Sequence, residues 1–193
     1  MRVIIVIAAS AGGLGPLVQI VAALPPTCRA SVFVVQHIGA NHSILPSILA
    51  WHGSLPVAFA QHGEVIERGR IYVAPPDHHM RLRAGGIWLD KGIREHFTRP
   101  AADPLFISAA ETYGARVVGI VLSGANTDGA TGILAITAHG GLGLVQSLDE
   151  AEFPEMPLAA LKLDHPEAPL TADRLAKWVV EHCASKRLRV PGR

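Results

Sequence analysis

The sequence is poor in several features that would define a protein class. Its 193 residues include only 2 cysteines and 5% aromatic residues, and 17 basic side chains nearly balance 16 acidic ones. Because Cys28 and Cys183 are isolated, they exclude a disulfide framework and favour a reducing compartment. The balanced charge lacks the basic face that nucleic-acid-binding proteins carry, so we expect no nucleic-acid partner.

Long hydrophobic runs are also missing. No segment approaches the about 20 apolar residues of a membrane-spanning helix, so we expect no membrane insertion. The opening MRVIIVIAAS is at the lower limit for a signal peptide and better fits a buried first strand, because a glycine-rich turn and a helical pattern follow it. We expect a cytoplasmic protein with a single domain over residues 1–193, and a solvated basic tail at SKRLRVPGR.

Apolar β-like runs alternate with helical patterns along the chain. Strands are predicted at 3–8, 30–37, 56–60, 115–123 and 142–147, and helices at 14–24, 41–52, 102–114, 129–141, 156–163 and 171–186. This alternation predicts an α/β fold, a doubly wound and mainly parallel sheet with helices on both faces. Short runs broken by Pro-Pro-Asp and Gly-Gly predict a small antiparallel hairpin within residues 63–89.

Polar side chains follow the predicted strands at the edge where such sheets bind ligands. The first strand ends at Ser10, the second at His37, and a later strand leads into a loop that carries Asp128. If these strands are neighbours, the three side chains enter one crevice beyond the carboxyl ends of the strands. A serine, an imidazole and a carboxylate are the parts of an acyl-transfer triad, in which the base activates the hydroxyl and the carboxylate orients the base.

The turn around Ser10 fits a nucleophile. The sequence AASAG is close to the GxSxG elbow, which presents a serine between a strand and a helix. The helix that begins near Gly13 would direct backbone N–H groups towards a developing oxyanion, so Ala11 and Gly12 are candidate supporting residues. The order Ser, His, Asp differs from that of the α/β-hydrolases.

Other interpretations of these residues remain open. Taken singly, the serine fits a helix cap, the histidine a packing residue and the aspartate a turn former. A nucleotide loop is disfavoured, because SAGGLG lacks GxGxxG spacing and no ribose-binding acid ends the second strand. No metal is expected: His78 and His79 are adjacent, and the remaining histidines other than His37 fit surface or packing roles.

Six ordered blocks carry a resemblance to a known family. They are ASAGG (9–13), VVQHI (34–38), IYVAPPDHHMRL (71–82), HFTRPAADPLFISAA (96–110), VLSGANTDGATG (121–132) and AEFPEMPLAAL (151–161). With them the chain resembles the catalytic domain of the CheB family of chemotaxis protein-glutamate methylesterases. The resemblance implies a triad of Ser10, His37 and Asp128, hydrolysis of γ-glutamyl methyl esters on the cytoplasmic helices of chemoreceptors, deamidation of receptor glutamines by the same acyl-enzyme chemistry, and no cofactor.

The chain departs from the family pattern in three places. The family usually has an N-terminal receiver domain, whereas this sequence opens on the first strand, so we expect no receiver domain. We also expect a monomer. Ala125 stands where the family loop LTGMGxDGA has a methionine associated with the oxyanion hole, and Ser147 stands where the family often has aspartate. These departures leave two alternatives open: a binding or scaffold module with weakened catalysis, and an esterase for small metabolites. Arg94 or Arg99 could dock an acidic receptor helix or form an ordinary ion pair.

Overall fold

The computed structural model describes residues 3–38, 42–164 and 169–183, and a six-stranded parallel sheet lies at its centre. Its strands are β1 (Ile4–Ala9), β2 (Ser31–Gln36), β3 (Val57–Phe59), β4 (Arg70–Val73), β7 (Val117–Val121) and β8 (Leu142–Val145). They lie in the order β3-β4-β2-β1-β7-β8. A separate antiparallel pair is formed by β5 (His79–Arg83) and β6 (Gly86–Asp90). The α/β fold class and the hairpin predicted from the sequence are confirmed.

Helices cover both faces of the sheet. They are α1 (Leu14–Ala23), α2 (Leu45–His52), α3 (Ala102–Tyr113), α4 (Ala130–Ala138), α5 (Glu155–Asp164) and α6 (Ala172–His182). Alternate residues of β1 enter two separate cores: Ile5 packs on the side of α1 and α6, and Ile4 on the side of α3 and α4. This explains why β1 is apolar throughout, since a strand buried on both faces has no polar side. None of the helices within the described ranges is long and apolar enough to cross a bilayer.

One strand differs from the sequence-based expectation. The sequence assigns the β-like runs within residues 63–89 to one small antiparallel hairpin, but β4 lies in the main parallel sheet between β2 and β3. Tyr72 of β4 is fully buried and stacks on Phe33 of β2, with the ring centroids 5.1 Å apart. A run of four residues is too short for its periodicity to reveal this partner, so tertiary packing decided it.

Some segments predicted from the sequence lie outside the residues that the structure describes. Residue 41 at the start of the second predicted helix, residues 184–186 at the end of the last one and the basic tail at 185–193 lie beyond them. Within them, Thr171 caps α6 as expected, since its side chain accepts a hydrogen bond from the backbone N–H of Arg174 at 3.4 Å.

The sheet order creates a crevice at the end of β1. The chain moves from β1 to β2 on one side and later returns to β7 on the other side of β1. In open α/β sheets, ligands bind outside the carboxyl ends of the strands at such a switch point. The ends of β1, β2 and β7 therefore form the place where a functional site is expected.

Candidate active site

The strand register brings Ser10 and His37 to neighbouring positions. Ala9 of β1 pairs with Gln36 of β2, and the backbone N–H of His37 donates to the Ala9 carbonyl at 3.1 Å. On the other side, the backbone N–H of Ser10 donates to the carbonyl of Ser123 after β7, at 3.0 Å. Ser10 thus lies between the ends of two flanking strands. Among the described residues, however, no hydrogen bond joins its hydroxyl to the ring of His37.

The turn after Ser10 is held by contacts to its backbone. The Ser10 carbonyl accepts hydrogen bonds from the Gly13 N–H at 3.0 Å and from the Gln36 side chain at 2.9 Å. Gly12 has φ +70, which favours glycine, and a Cβ there would lie 2.7 Å from the Cβ of Glu152. The glycine is therefore required by both conformation and space, which fits a sharp bend that presents the serine.

His37 and Asp128 form a short, buried hydrogen bond. The His37 Nε2 lies 2.7 Å from the Asp128 Oδ2, and the two side chains are 7% and 0% exposed. Because a carboxylate only accepts, Nε2 carries the proton and Nδ1 offers the lone pair. The Nδ1 is buried and has no partner among the described residues. The geometry therefore leaves Nδ1, rather than Nε2, to accept a proton from a substrate-site group.

Asp128 is fixed by the N-terminus of α3. Its Oδ2 accepts the Ala102 N–H at 2.5 Å and its Oδ1 accepts the Asp103 N–H at 2.9 Å. Burial raises the pKa of the Asp128 carboxyl, but the hydrogen bond and charge of His37 and the two backbone donors lower it more, so its pKa lies below the ordinary value. Asp128 is therefore ionised at neutral pH, as a carboxylate that orients an imidazole must be.

A second histidine–aspartate pair lies directly behind Asp128. The His96 Nε2 is 2.9 Å from the Asp103 Oδ2, and the His96 Nδ1 is 3.2 Å from the Thr127 hydroxyl. Burial and the charge of Asp128 raise the pKa of the Asp103 carboxyl, although the donors from Gly132 and His96 act against the rise. The sequence predicted mostly surface or packing roles for the histidines other than His37, and it gave no indication that His96 reaches a buried carboxylate.

The second pair carried a weak signal in the sequence. Asp103 lies in the first turn of α3 among mainly apolar residues, and an acidic residue among buried helix positions calls for a partner. Side-chain atoms of His96, Asp103 and Asp128 lie within 4.8 Å of one another, a spacing that three metal ligands could share. Each carboxylate already accepts two backbone N–H groups, however, so hydrogen bonding alone accounts for the cluster.

The candidate oxyanion residues lie in the two turns that follow β1 and β7. Ala11 and Ala125 are exposed and Gly12 is half-buried, and their backbone N–H groups have no hydrogen-bond partner within the described ranges. Gly124 lies against Ser10, because a Cβ there would be 2.8 Å from the Cβ of Ser10. The amide donors of Ala11, Gly12 and Ala125 are thus unpaired within the described ranges, and their use as an oxyanion hole stays a prediction.

Arg99 forms the ion pair that the sequence left open. Its guanidinium donates to the Asp77 Oδ1 at 2.6 and 3.0 Å and to the carbonyls of Lys91 and Gly92 at 3.1 and 2.7 Å. With its donors engaged in this way, Arg99 holds the loop between β6 and α3. The contacts disfavour a role for Arg99 in docking an acidic helix.

A solved structure and a family model match most of this chain. The CheB methylesterase family model matches residues 5–179. The crystal structure of the Thermotoga maritima CheB methylesterase catalytic domain superposes with a TM-score of 0.89 at 29% identity, covering 94% of this chain and 98% of that one.

Relatives from several organisms match at similar identity. A Pyrococcus horikoshii protein named protein-glutamate methylesterase/protein-glutamine glutaminase is 36% identical over 186 residues, which are 93% of this chain and 50% of the relative. A Leptospira interrogans relative is 34% identical over 182 residues, covering 91% of this chain and 92% of its own length. The chain thus spans about half the length of the Pyrococcus relative. By the extent of the family match, this chain belongs to the CheB methylesterase family.

Proposed function

We propose that this protein is a serine hydrolase that removes the methyl group from glutamate γ-methyl esters on chemoreceptors and releases methanol. The observation that carries the proposal is the buried 2.7 Å hydrogen bond between His37 and Asp128, at the strand ends beside Ser10. The names of the relatives supply the ester class, since the Pyrococcus protein is called a protein-glutamate methylesterase. The fold alone would not identify the ester class, because proteins of unrelated function share one fold.

The chemistry follows the roles of the three side chains. The Ser10 hydroxyl attacks the ester carbonyl while the His37 Nδ1 accepts its proton and the Nε2–H stays hydrogen-bonded to Asp128. The hydrogen bond between nucleophile and base forms as substrate binds, since such contacts are often long in the free enzyme. The proton then passes from His37 to the leaving methoxide, which departs as methanol and leaves an acyl-serine.

Water completes the reaction. It attacks the acyl-serine with His37 again as base. This step regenerates the Ser10 hydroxyl and releases the glutamate carboxylate. In both steps, the negative oxygen of the tetrahedral intermediate accepts hydrogen bonds from the N–H groups of Ala11, Gly12 and Ala125, which have no partner within the described ranges. A backbone donor at Ala125 needs no particular side chain, so alanine in place of the family's methionine keeps it.

The same acyl-serine gives a second activity. A glutamine side chain attacked by Ser10 loses ammonia instead of methanol and yields the same glutamate, as the glutaminase part of the relatives' name indicates. We propose that the partners are the cytoplasmic helices of methyl-accepting chemoreceptors, with no nucleic acid and no membrane insertion. The site requires neither a metal nor an organic cofactor in this mechanism. We further propose that the protein acts as a cytoplasmic monomer.

The test is methanol release from fully methylated chemoreceptor by this protein and by its Ser10→Ala variant. We expect release by the parent protein and a loss of at least about 10³-fold in the variant, because no other group can form the acyl intermediate. The matched control is Ser54→Ala, which changes an exposed serine in the loop after α2. Its release should equal that of the parent protein.

Three outcomes would contradict the proposal. Release that is unchanged in Ser10→Ala would exclude the serine mechanism. No release from a folded parent protein that binds receptor would favour the scaffold module. Turnover of free small methyl esters at a rate comparable to that on receptor would favour an esterase for small metabolites.

A further inference from the structure

We propose that Asp103 and His96 are positioning residues for the Asp128 carboxylate. The inference rests on the proposed function, since it concerns the orientation of the same triad. Neither residue belongs to the triad. They act through the backbone N–H groups and helix ends that hold Asp128.

The two carboxylates cap each other's helices. Asp128 accepts the Ala102 and Asp103 N–H groups that open α3. Asp103, within the first turn of α3, accepts the Gly129 N–H at 3.0 Å and the Gly132 N–H at 2.7 Å at the start of α4. Because Gly129, the N-cap of α4, follows Asp128 directly, each carboxylate fixes the backbone beside the other. Displacement of the Asp103 side chain would therefore displace the donors that hold Asp128.

His96 completes this arrangement from the surface. Its side chain is 30% exposed, whereas the Asp103 side chain is 4% exposed, so the imidazole separates the buried carboxylate from solvent. His96 has φ +49, a left-handed conformation that is uncommon outside glycine. In this conformation one ring nitrogen contacts Asp103 and the other contacts Thr127, the residue before Asp128. The ring thus connects α3 to the loop that carries the triad carboxylate.

The negative charges of Asp103 and Asp128 explain why Asp103 needs the hydrogen-bond donor of His96. Asp103 and Asp128 offer carboxylate oxygens within 4.8 Å of each other, and both side chains are almost fully buried. Like charges repel at this distance, and a buried carboxylate oxygen without a donor is unfavourable. Without the imidazole, the Asp103 Oδ2 loses its donor, and the carboxylate must turn towards solvent. The N-terminus of α3 then moves, and the angle between Asp128 and His37 changes with it.

The experiment compares His96→Ala with His96→Gln, whose side-chain amide can still donate to Asp103. For His96→Ala we expect kcat for receptor demethylation to fall about 10- to 100-fold with KM unchanged, because a small displacement of a catalytic group has effects of this size. His96→Gln should keep most of the activity. Asp103→Asn should also lower kcat, since the amide cannot accept as two carboxylate oxygens do. The matched control is His139→Gln, at the opposite end of α4.

A spectroscopic readout separates this proposal from the proposed function. The downfield imidazole N–H resonance of His37, hydrogen-bonded to Asp128, should shift or broaden in His96→Ala and stay in place in His96→Gln and His139→Gln. Unchanged kcat and an unchanged resonance in a folded His96→Ala protein would overturn the positioning role. So would equal losses in His96→Ala and His96→Gln, because a donor to Asp103 would then be irrelevant. If the parent protein released no methanol, the resonance alone would still decide the positioning role.

Discussion

The two histidine–aspartate pairs have similar hydrogen bonds but opposite electrostatics. The His37–Asp128 and His96–Asp103 distances are 2.7 and 2.9 Å. In the first pair the pKa of the carboxyl is lowered, and in the second it is raised. The histidines also differ, since the His37 side chain is 7% exposed and that of His96 is 30% exposed.

The difference shows that a short hydrogen bond does not by itself determine the charge state of a carboxyl. Both aspartates are buried and both accept two backbone N–H groups. Burial raises the pKa of both carboxyls. For Asp128, the His37 imidazole lowers the pKa more than any other group does. For Asp103, the charge of Asp128 raises the pKa further. When two carboxyls interact, the pKa of one is raised. The pair proposed for catalysis keeps the lower carboxyl pKa.

Removal of the His37 imidazole should have the largest effect on activity. We expect His37→Ala to lower kcat for methanol release by about 10⁴-fold, because general-base catalysis supplies about that much when the base also returns the proton to the leaving group. Steady-state kinetics on methylated receptor, with binding measured separately, would check this. His96→Ala serves as the internal comparison with its smaller expected loss. Equal losses in the two variants would remove the functional distinction between the pairs.

The packing of α3 on α4 should show the next largest effect. Gly132 donates to Asp103, and a Cβ at this position would lie 2.4 Å from the Cβ of Phe106 on α3. We expect Gly132→Ala to lower the free energy of unfolding by about 1–3 kcal/mol, the usual cost of overpacking. Urea unfolding would measure it.

The control for this variant is Gly15→Ala in α1. A Cβ at Gly15 would meet nothing within 4 Å. The same substitution should there be neutral or stabilising by up to about 1 kcal/mol, since alanine favours the helix. Similar destabilisation at both glycines would mean that the contact with Phe106 is not the cause.

The pH dependence of stability should show the smallest effect, with opposite signs for the two carboxyls. The ordinary pKa of both is 3.8. Because the folded pKa of Asp128 is lowered, its contribution is present above pH 3.8 and is lost as the pH falls through the folded pKa. Because the folded pKa of Asp103 is raised, its contribution is present below pH 3.8 and is lost as the pH rises through the folded pKa.

Urea unfolding of Asp128→Asn and Asp103→Asn from neutral to acid pH would test these signs. The stability difference between the parent protein and Asp128→Asn should shrink on acidification below pH 3.8. As the pH falls towards pH 3.8, the parent protein should gain stability relative to Asp103→Asn. Two differences that change in the same direction would contradict the opposite electrostatics of the pairs.

Much of the fold could be predicted from the sequence, because its signals are local. The apolar run of β1 indicates a strand buried on both faces, and Thr171 marks the start of α6. The ends of the strands also identified Ser10, His37 and Asp128 as candidates, since the carboxyl ends of parallel strands meet at one edge of a sheet. The structure joins the last two directly and places the first beside His37 through the register of β1 and β2.

The cysteines illustrate what such local signals leave out. Cys28 and Cys183 are distant in sequence and were interpreted separately, yet they interact in the fold. Burial raises the pKa of the Cys28 thiol to about 12, and Cys183 adds to the rise. The backbone N–H of Arg29 also donates to the Cys183 carbonyl at 3.2 Å. The sequence contains both residues but no indication that the end of α6 reaches the segment before β2.

The sequence by itself determined the alternation of strands and helices, the family and the candidate triad, because periodicity, turn residues and ordered motifs are properties of short segments. Only the tertiary structure decided that β4 joins the parallel sheet, that Asp128 binds the Nε2 of His37, and that His96 and Asp103 lie behind it. These contacts join segments whose distance depends on the order of the sheet and the packing of α3 on α4. No local pattern encodes that distance, since it is set by the burial of many side chains at once.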